Sequence, residues 1–289
     1  MTKTTRHACR LLAAWLAGWL LTLAPAWAQG SAVAMVTDLQ GRASLSSGGR
    51  NAEAAMLANI DAGAQAQVAA GATLVVLYLA DGSEYQFKGP AQVQFRADRP
   101  EVLSGAPAVR RGAPAGTSLR LKPAGVSQGA IVMRSLGNVR IRLTSGNGTL
   151  VLDTQPELAW APPQPDLRYS LDIADDGGRT VHKAEVEGTS LRVPASAGLR
   201  EGASYTWEVS ARAPDGRRFS ARGEFGVAPA SLREQVAAAR AQADASVSSQ
   251  VALALWLDQQ ELRDDGRRIW RELARQRPEE AGLKALAER

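Results

Sequence analysis

The chain has 289 residues, a net charge of +5, one cysteine and two histidines. So few thiols and imidazoles exclude zinc sites built on Cys or on several His. With no G-x-S-x-G elbow, P-loop or G-x-G-x-x-G, the common nucleophilic and nucleotide-binding motifs are missing too, and we assign no catalytic, cofactor or metal-ligating residue.

The first 28 residues read as a secretory leader. Lys3, Arg6 and Arg10 stand without an acid, and the apolar run 11–24 comes next. Pro25-Ala26-Trp27-Ala28-Gln29 then offers small residues three and one positions before a cut between Ala28 and Gln29. The run is shorter than the roughly 20 apolar residues of a membrane-spanning helix. A leader kept as an anchor is the alternative. Cys9 precedes the apolar run, which argues against a lipoprotein, and it leaves with the leader. Three of the five net positive charges leave as well, so no nucleic-acid partner is implied. The chain beyond the leader is long enough for two or three domains of ~100–200 residues. It can bury a core without disulfides. The expected location is the periplasm of a bacterium.

Residues 29–97 read as strands. Val33 to Val36 is followed by a turn at Gly41 and a strand over 42–45. The run 74–79 is too short for a lone helix, and Val75, Val76 and Tyr78 favour strand. It ends at Ala80-Asp81-Gly82-Ser83, where Asp-Gly between apolar runs predicts a tight hairpin with both central residues at positive φ. Tyr85 and Phe87 continue with period two, Gly89-Pro90 turns, and Val93 and Phe95 alternate again. Three features recur in order: Ala58-Asn59-Ile60-Asp61-Ala62-Gly63-Ala64, then Ala70-Gly71-Ala72-Thr73, then the strand 74–79 ending in Ala80-Asp81-Gly82-Ser83. With the closing strand, this order resembles the FecR periplasmic domain over about residues 33–97. The resemblance implies a β-rich domain that binds other proteins and brings no catalytic residue.

Residues 98–129 hold Pro100, Pro107, Pro114 and Pro123 and read as a linker or a loosely held edge, with Arg110-Arg111 inside it. Residues 130–228 read as a second β domain. Ile131 to Met133 is a short strand. Val139, Ile141 and Leu143 alternate with Arg140 and Arg142, giving one apolar and one basic face. Ser145-Gly146-Asn147-Gly148 is expected to turn the chain back into 150–152. Strands are further expected around Trp160, over 169–173, 181–186 and 191–193, around Trp207, and at 225–227. Their turn spacing argues for a β-sandwich. Pro156-x-Leu158-x-Trp160, Tyr169-x-Leu171-x-Ile173, Leu199-x-x-Gly202-x-x-Tyr205-x-Trp207-x-Val209 and Phe225-x-Val227 resemble a fibronectin type III or immunoglobulin-like domain. The resemblance places Trp160 and Trp207 between the sheets.

In residues 229–289 the period changes to helical. Ser231-Leu232-Arg233-Glu234 is a capping-box sequence, and a first helix is expected to about Ala245. Ser248 or Ser249 is expected to cap a second and Asp264 or Asp265 a third, and Pro278 to begin a fourth. Ala254, Leu257, Gly266, Trp270 and Pro278 give this stretch the spacing of one tetratricopeptide-like hairpin, although Gly266 and Leu273 stand where that motif usually has alanine. Trp256 and Trp270 are expected in its core. One such unit cannot bury its apolar face alone, so the tail must dock on the β domains, self-associate or hold a partner.

The fold class expected is therefore mainly β with an α-helical C-terminus: a FecR-like β domain, a β-sandwich and a small helical bundle. The function expected is non-enzymatic: a periplasmic protein that binds a protein partner of the cell envelope, such as a membrane receptor or signalling component. FecR-type regulators carry a cytoplasmic segment before a membrane helix, and only ten residues precede the apolar run here. Transmembrane control of transcription is therefore not carried over. Arg110, Arg111, Arg140 and Arg142 are the candidate interaction surface. The alternative is a peptidoglycan- or glycan-binding envelope module using Trp160, Tyr169 or Trp207. A carboxylate hydrolase, with a pair such as Asp172 and Glu185, has no positive support, and His182 lacks the partners of a catalytic histidine.

Overall fold

The computed structural model describes residues 32–112 and 140–288. The leader, the strand expected at 131–133, and Val139 lie outside the described residues. So does the second half of the proline-rich stretch.

Ten strands form the first β unit: β1 (Ala32–Gln40), β2 (Ala43–Ser47), β3 (Arg50–Glu53), β4 (Asn59–Asp61), β5 (Gln65–Val68), β6 (Thr73–Tyr78), β7 (Glu84–Lys88), β8 (Ala91–Phe95), β9 (Pro100–Ser104) and β10 (Val109–Arg111). They make two five-stranded sheets, ordered β10-β7-β6-β1-β4 and β3-β2-β5-β8-β9. Alternation along β6 sends Leu74, Val76 and Tyr78 inward. They meet Ala66, Val68, Val93 and Phe95 of the opposite sheet in a core rich in alanine. The other parity, Val75 and Leu77, faces the reverse side, where Leu77 joins a different core.

The tight-hairpin expectation fails here. Only Gly82 of the Asp81-Gly82 pair has positive φ (70°). The connection is a longer loop closed by Tyr78 N–H to Ser83 O and Gly82 N–H to Tyr78 O. Asp81 accepts instead from the Ser83 N–H and hydroxyl. Of the two readings of residues 98–112, linker or edge, the strands agree with the edge: β9 and β10 each complete one edge of a sheet. Proline is tolerated there because an edge strand has one side free of ladder bonds.

The second β unit contains β11 (Arg142–Leu143), β12 (Thr149–Val151), β13 (Glu157–Ala161), β14 (Tyr169–Asp175), β15 (Thr180–Val186), β16 (Ser190–Arg192), β17 (Ser204–Arg212) and β18 (Arg218–Val227). The sheets are β11-β13-β16 and β12-β18-β17-β14-β15. Leu158 and Trp160 of the first meet Tyr169, Leu171, Ile173, Tyr205, Trp207 and Phe225 of the second in one aromatic core. Residues 145–148 do not form the expected hairpin. They carry the chain from one sheet to the other, so β11 pairs antiparallel with β13 while β12 runs parallel to β18. Trp207 holds this crossing, its Nε1–H donating to Gly146 O at 2.6 Å.

Four helices close the chain: α1 (Ala230–Gln242), α2 (Val247–Gln259), α3 (Arg263–Gln276) and α4 (Ala281–Ala287). Their ends differ from expectation. Pro229 precedes α1 and Ser231 caps nothing, since the chain already enters the helix at Ala230; α1 ends at Gln242. Ser246, not Ser248 or Ser249, caps α2 by accepting from Ser249 N–H. Leu262 precedes α3, Asp264 is turned toward the Gly146 N–H, and α4 begins after Glu280 rather than at Pro278. The α2–α3 crossing explains Gly266: a Cβ there would sit 2.3 Å from Asp258 Oδ1 and 3.2 Å from Ala254 O.

The tail docks on both β units. From Val251 to Leu257 every residue of α2 is buried, in one core with Met35, Met56, Leu57, Leu77 and Leu79 of the first unit. Each such leucine contributes about 1.5–3 kcal/mol. Polar ties fix the register: Thr37 and Ser248 hydroxyls lie 2.7 Å apart, and Arg277 donates to Asp38 at 3.0 Å. The start of α3 is stitched to the second unit. Gly146 N–H donates to Asp264 at 2.7 Å and Leu150 N–H to Glu261 O at 2.8 Å. Residues Ala32–Arg289 accordingly form one compact unit.

Candidate interaction site

The tail covers only part of the first unit's reverse face. Cross-strand register places Leu77, Glu84 and Arg111 in one row over β6, β7 and β10, and Val75, Gln86 and Val109 in the next. Leu77 and Val75 lie buried, whereas Val109 at the edge is 51% exposed. Between this open shoulder and α1–α2 lies a cleft of about 160 Å³. Leu77, Ala239, Ala252, Leu253 and Trp256 make its apolar floor, and Glu84, Arg111, Asp244 and Ser249 its polar rim.

The rim is electrostatically settled. Arg111 lies 3.8 Å from Glu84. The hydroxyl and backbone N–H of Ser246 hydrogen-bond the Asp244 carboxyl and, with the nearby Arg111 guanidinium, hold it below the usual carboxylate range. One residue earlier, Arg110 leaves from the opposite face of the strand. It donates to Ser83 Oγ at 3.1 Å, lies 3.9 Å from Asp81 and covers the Tyr85 ring at 5.9 Å. The Arg110-Arg111 pair is therefore split between two faces and largely neutralised. Arg140 and Arg142 are exposed, and Arg142 is on β11 of the other β unit. Arg110 and Arg111 share β10, Arg142 is on a sheet of the other β unit and Arg140 is outside the strands, so the four do not form one surface.

The predicted core tryptophans Trp160, Trp207, Trp256 and Trp270 are 3%, 1%, 6% and 1% exposed. Tyr169, at 1%, is equally inaccessible. None of the three aromatics named for a glycan platform is at the surface. Asp172 and Glu185 lie on an open sheet face, where Asp172 pairs with Lys183 at 3.1 Å and Glu185 stands opposite Ser170. They share no cleft.

Sequence reasoning missed two surface features. The shoulder cleft depends on where α2 lands; its signal was the run 251–257, apolar on every side, which marks a helix buried all round. The second is a groove of about 950 Å³ over the outer face of β2, β5 and β8. Register aligns Glu53, Ser44, Gln67, Gln92 and Ser104 in one row across all five strands of that sheet. Gln65, Gln94 and Ser46 continue the polar face in the next row.

No protein-family description matches the sequence, and no curated protein does. Among solved structures, a β-glucuronidase from Parabacteroides merdae is similar at 17% identity and a TM-score of 0.20, over 30% of this chain and 13% of that one. A β-1,2-glucanase from Parabacteroides distasonis is similar at 10% identity and a TM-score of 0.22, over 85% of this chain and 48% of that one. Likenesses this slight carry no argument about fold or activity. Among the described residues no helix is long and apolar enough to cross a membrane.

Proposed function

We propose that this is a non-enzymatic envelope protein, exported by its leader, which binds a protein partner through the shoulder beside α2. The first β unit is read as FecR-like, the second as a fibronectin- or immunoglobulin-like sandwich, and the tail as a tetratricopeptide-like hairpin. The observation that carries the reading is the docked tail. Most of its apolar face is buried against the first β unit, and the part left at the margin, Ala239, Ala252, Leu253 and Trp256, floors the cleft beside the strand that carries exposed Val109. Concave apolar floors with a few polar rim groups favour recognition. The partner class is a membrane receptor or signalling component of the envelope.

The test is cross-linking in cells from a photoreactive side chain at Val109, with Glu101 on the other sheet as control. An envelope protein captured at Val109 and lost on Leu253→Glu supports the reading. Equal capture at both positions contradicts it. N-terminal sequencing of the periplasmic fraction should begin at Gln29; an intact chain in the cytoplasm contradicts export.

A second reading, binding of neutral glycan, is favoured by the row of amides and hydroxyls along the 950 Å³ groove. Titration with peptidoglycan fragments against Gln67→Ala and Gln92→Ala decides it: loss of heat in both variants supports it, and unchanged heat removes it.

A further inference from the structure

Beyond partner binding, we infer that strand β15 is a homodimerisation edge, pairing antiparallel with its own copy about a two-fold axis through Ala184. β15 ends its sheet, pairs among the described strands only with β14, and at 7 residues is the longest strand at a sheet edge. An edge strand presents unpaired N–H and C=O groups to any extended chain. What singles out a second copy is the order of its charges.

Register with β14 places Lys183 and Glu185 on the outer face and His182, Ala184 and Val186 on the core side, while Val181, at the irregularity in the ladder, packs against the core. A two-fold axis at Ala184 sets Lys183 opposite the copy's Glu185, and Glu185 opposite its Lys183, on the same face. Ala184 meets Ala184, small enough for close approach, and His182 meets Val186. Opposite charges directly across a ladder stabilise it and like charges destabilise it. Moving the axis to Lys183 stacks lysine on lysine, and moving it to Glu185 stacks glutamate on glutamate. A one-residue slip sends side chains to opposite faces. Centring on Glu185 also sets Lys183 opposite the copy's Glu187, but of these registers only the one centred on Ala184 has its opposite-charge pairs with no like charges facing each other. Lys183 already leans across its own sheet to Asp172 at 3.1 Å, so pairing the edges sets Asp172, Lys183 and the copy's Glu185 in one row of alternating charge. The result is one ten-stranded sheet from two five-stranded ones. Strand pairing alone buries less surface than a standard protein interface, so the dimer is weak and salt-sensitive.

Sedimentation equilibrium of the full chain from about 10 μM to 1 mM tests this, with folding checked by near-UV circular dichroism. Wild type should show a monomer–dimer equilibrium that weakens in high salt. Lys183→Glu and Glu185→Lys alone should each weaken association roughly tenfold, because each places like charges across the axis twice. The double variant K183E/E185K restores complementarity and should return to within about threefold of wild type. A monomer at every concentration, a dimer indifferent to the single changes, or a double variant no better than the singles would each overturn the assignment.

Discussion

The two β units reach stability by different routes. The second holds Trp160, Tyr169, Tyr205, Trp207 and Phe225 between its sheets. Its outer face is charged and polar: Lys183, Asp172, Glu208 and Arg222 stand in one row across four strands. The first mixes alanines, among them Ala34, Ala43, Ala66, Ala72 and Ala91, with Leu74, Val76, Tyr78, Phe87 and Phe95 in its inter-sheet core. Its other apolar face is finished only by the tail. Large aromatics bury about 150–250 Å² each; the second unit, with five in its core, can stand alone, while the first, with three buried and with Met35, Leu77 and Leu79 on its other face, needs the added layer. Sequence order conceals this dependence, since the first unit is completed by the last elements of the chain.

The comparison is broken most forcefully at Trp207. Trp207→Ala removes a fully buried ring and the Gly146 hydrogen bond, and should cost about 3–5 kcal/mol in urea melts, felt in the second unit. Leu77→Ala, at the seam between the first unit and the tail, should cost about 2–5 kcal/mol and loosen both together. In the hydroxyl pair, Thr37→Val alone strands the buried Ser248 hydroxyl and should cost about 1–3 kcal/mol. Adding Ser248→Ala should recover most of that, because both polar groups are then gone.

The smallest effect concerns Glu280, at the start of α4. Burial, reinforced by the charge of Glu279, raises its carboxyl above the usual range. Since the folded state then holds the proton more tightly, this group's contribution is greatest at acid pH. It is lost as pH rises through the folded pKa. Glu280→Gln should therefore stabilise slightly at pH ~8 and change little at pH ~4; thermal melts at the two values check the sign.

Much of the β architecture is legible in local pattern. The alternations 169–173 and 205–211 mark buried faces because side chains switch sides at every residue. The crossing at 145–148 is not legible, because a glycine-rich turn specifies a bend but not which sheet receives the next strand. β9 and β10 hide behind prolines that forbid interior strands but not edges. Helix ends shifted because Asp264 bonds a distant backbone N–H that no local motif reveals. Of the candidate site, Arg111 could be named from sequence, but its neighbours Leu253, Trp256 and Asp244 lie more than a hundred residues away.

Native-state hydrogen exchange on the full chain and on a chain ending at Ala228 tests the central dependence most directly. Without the tail, amides of β1 and β6 should lose most of their protection while those of β14 and β17 keep theirs. Equal protection of β1 and β6 in the two chains would contradict the dependence of the first unit on the tail.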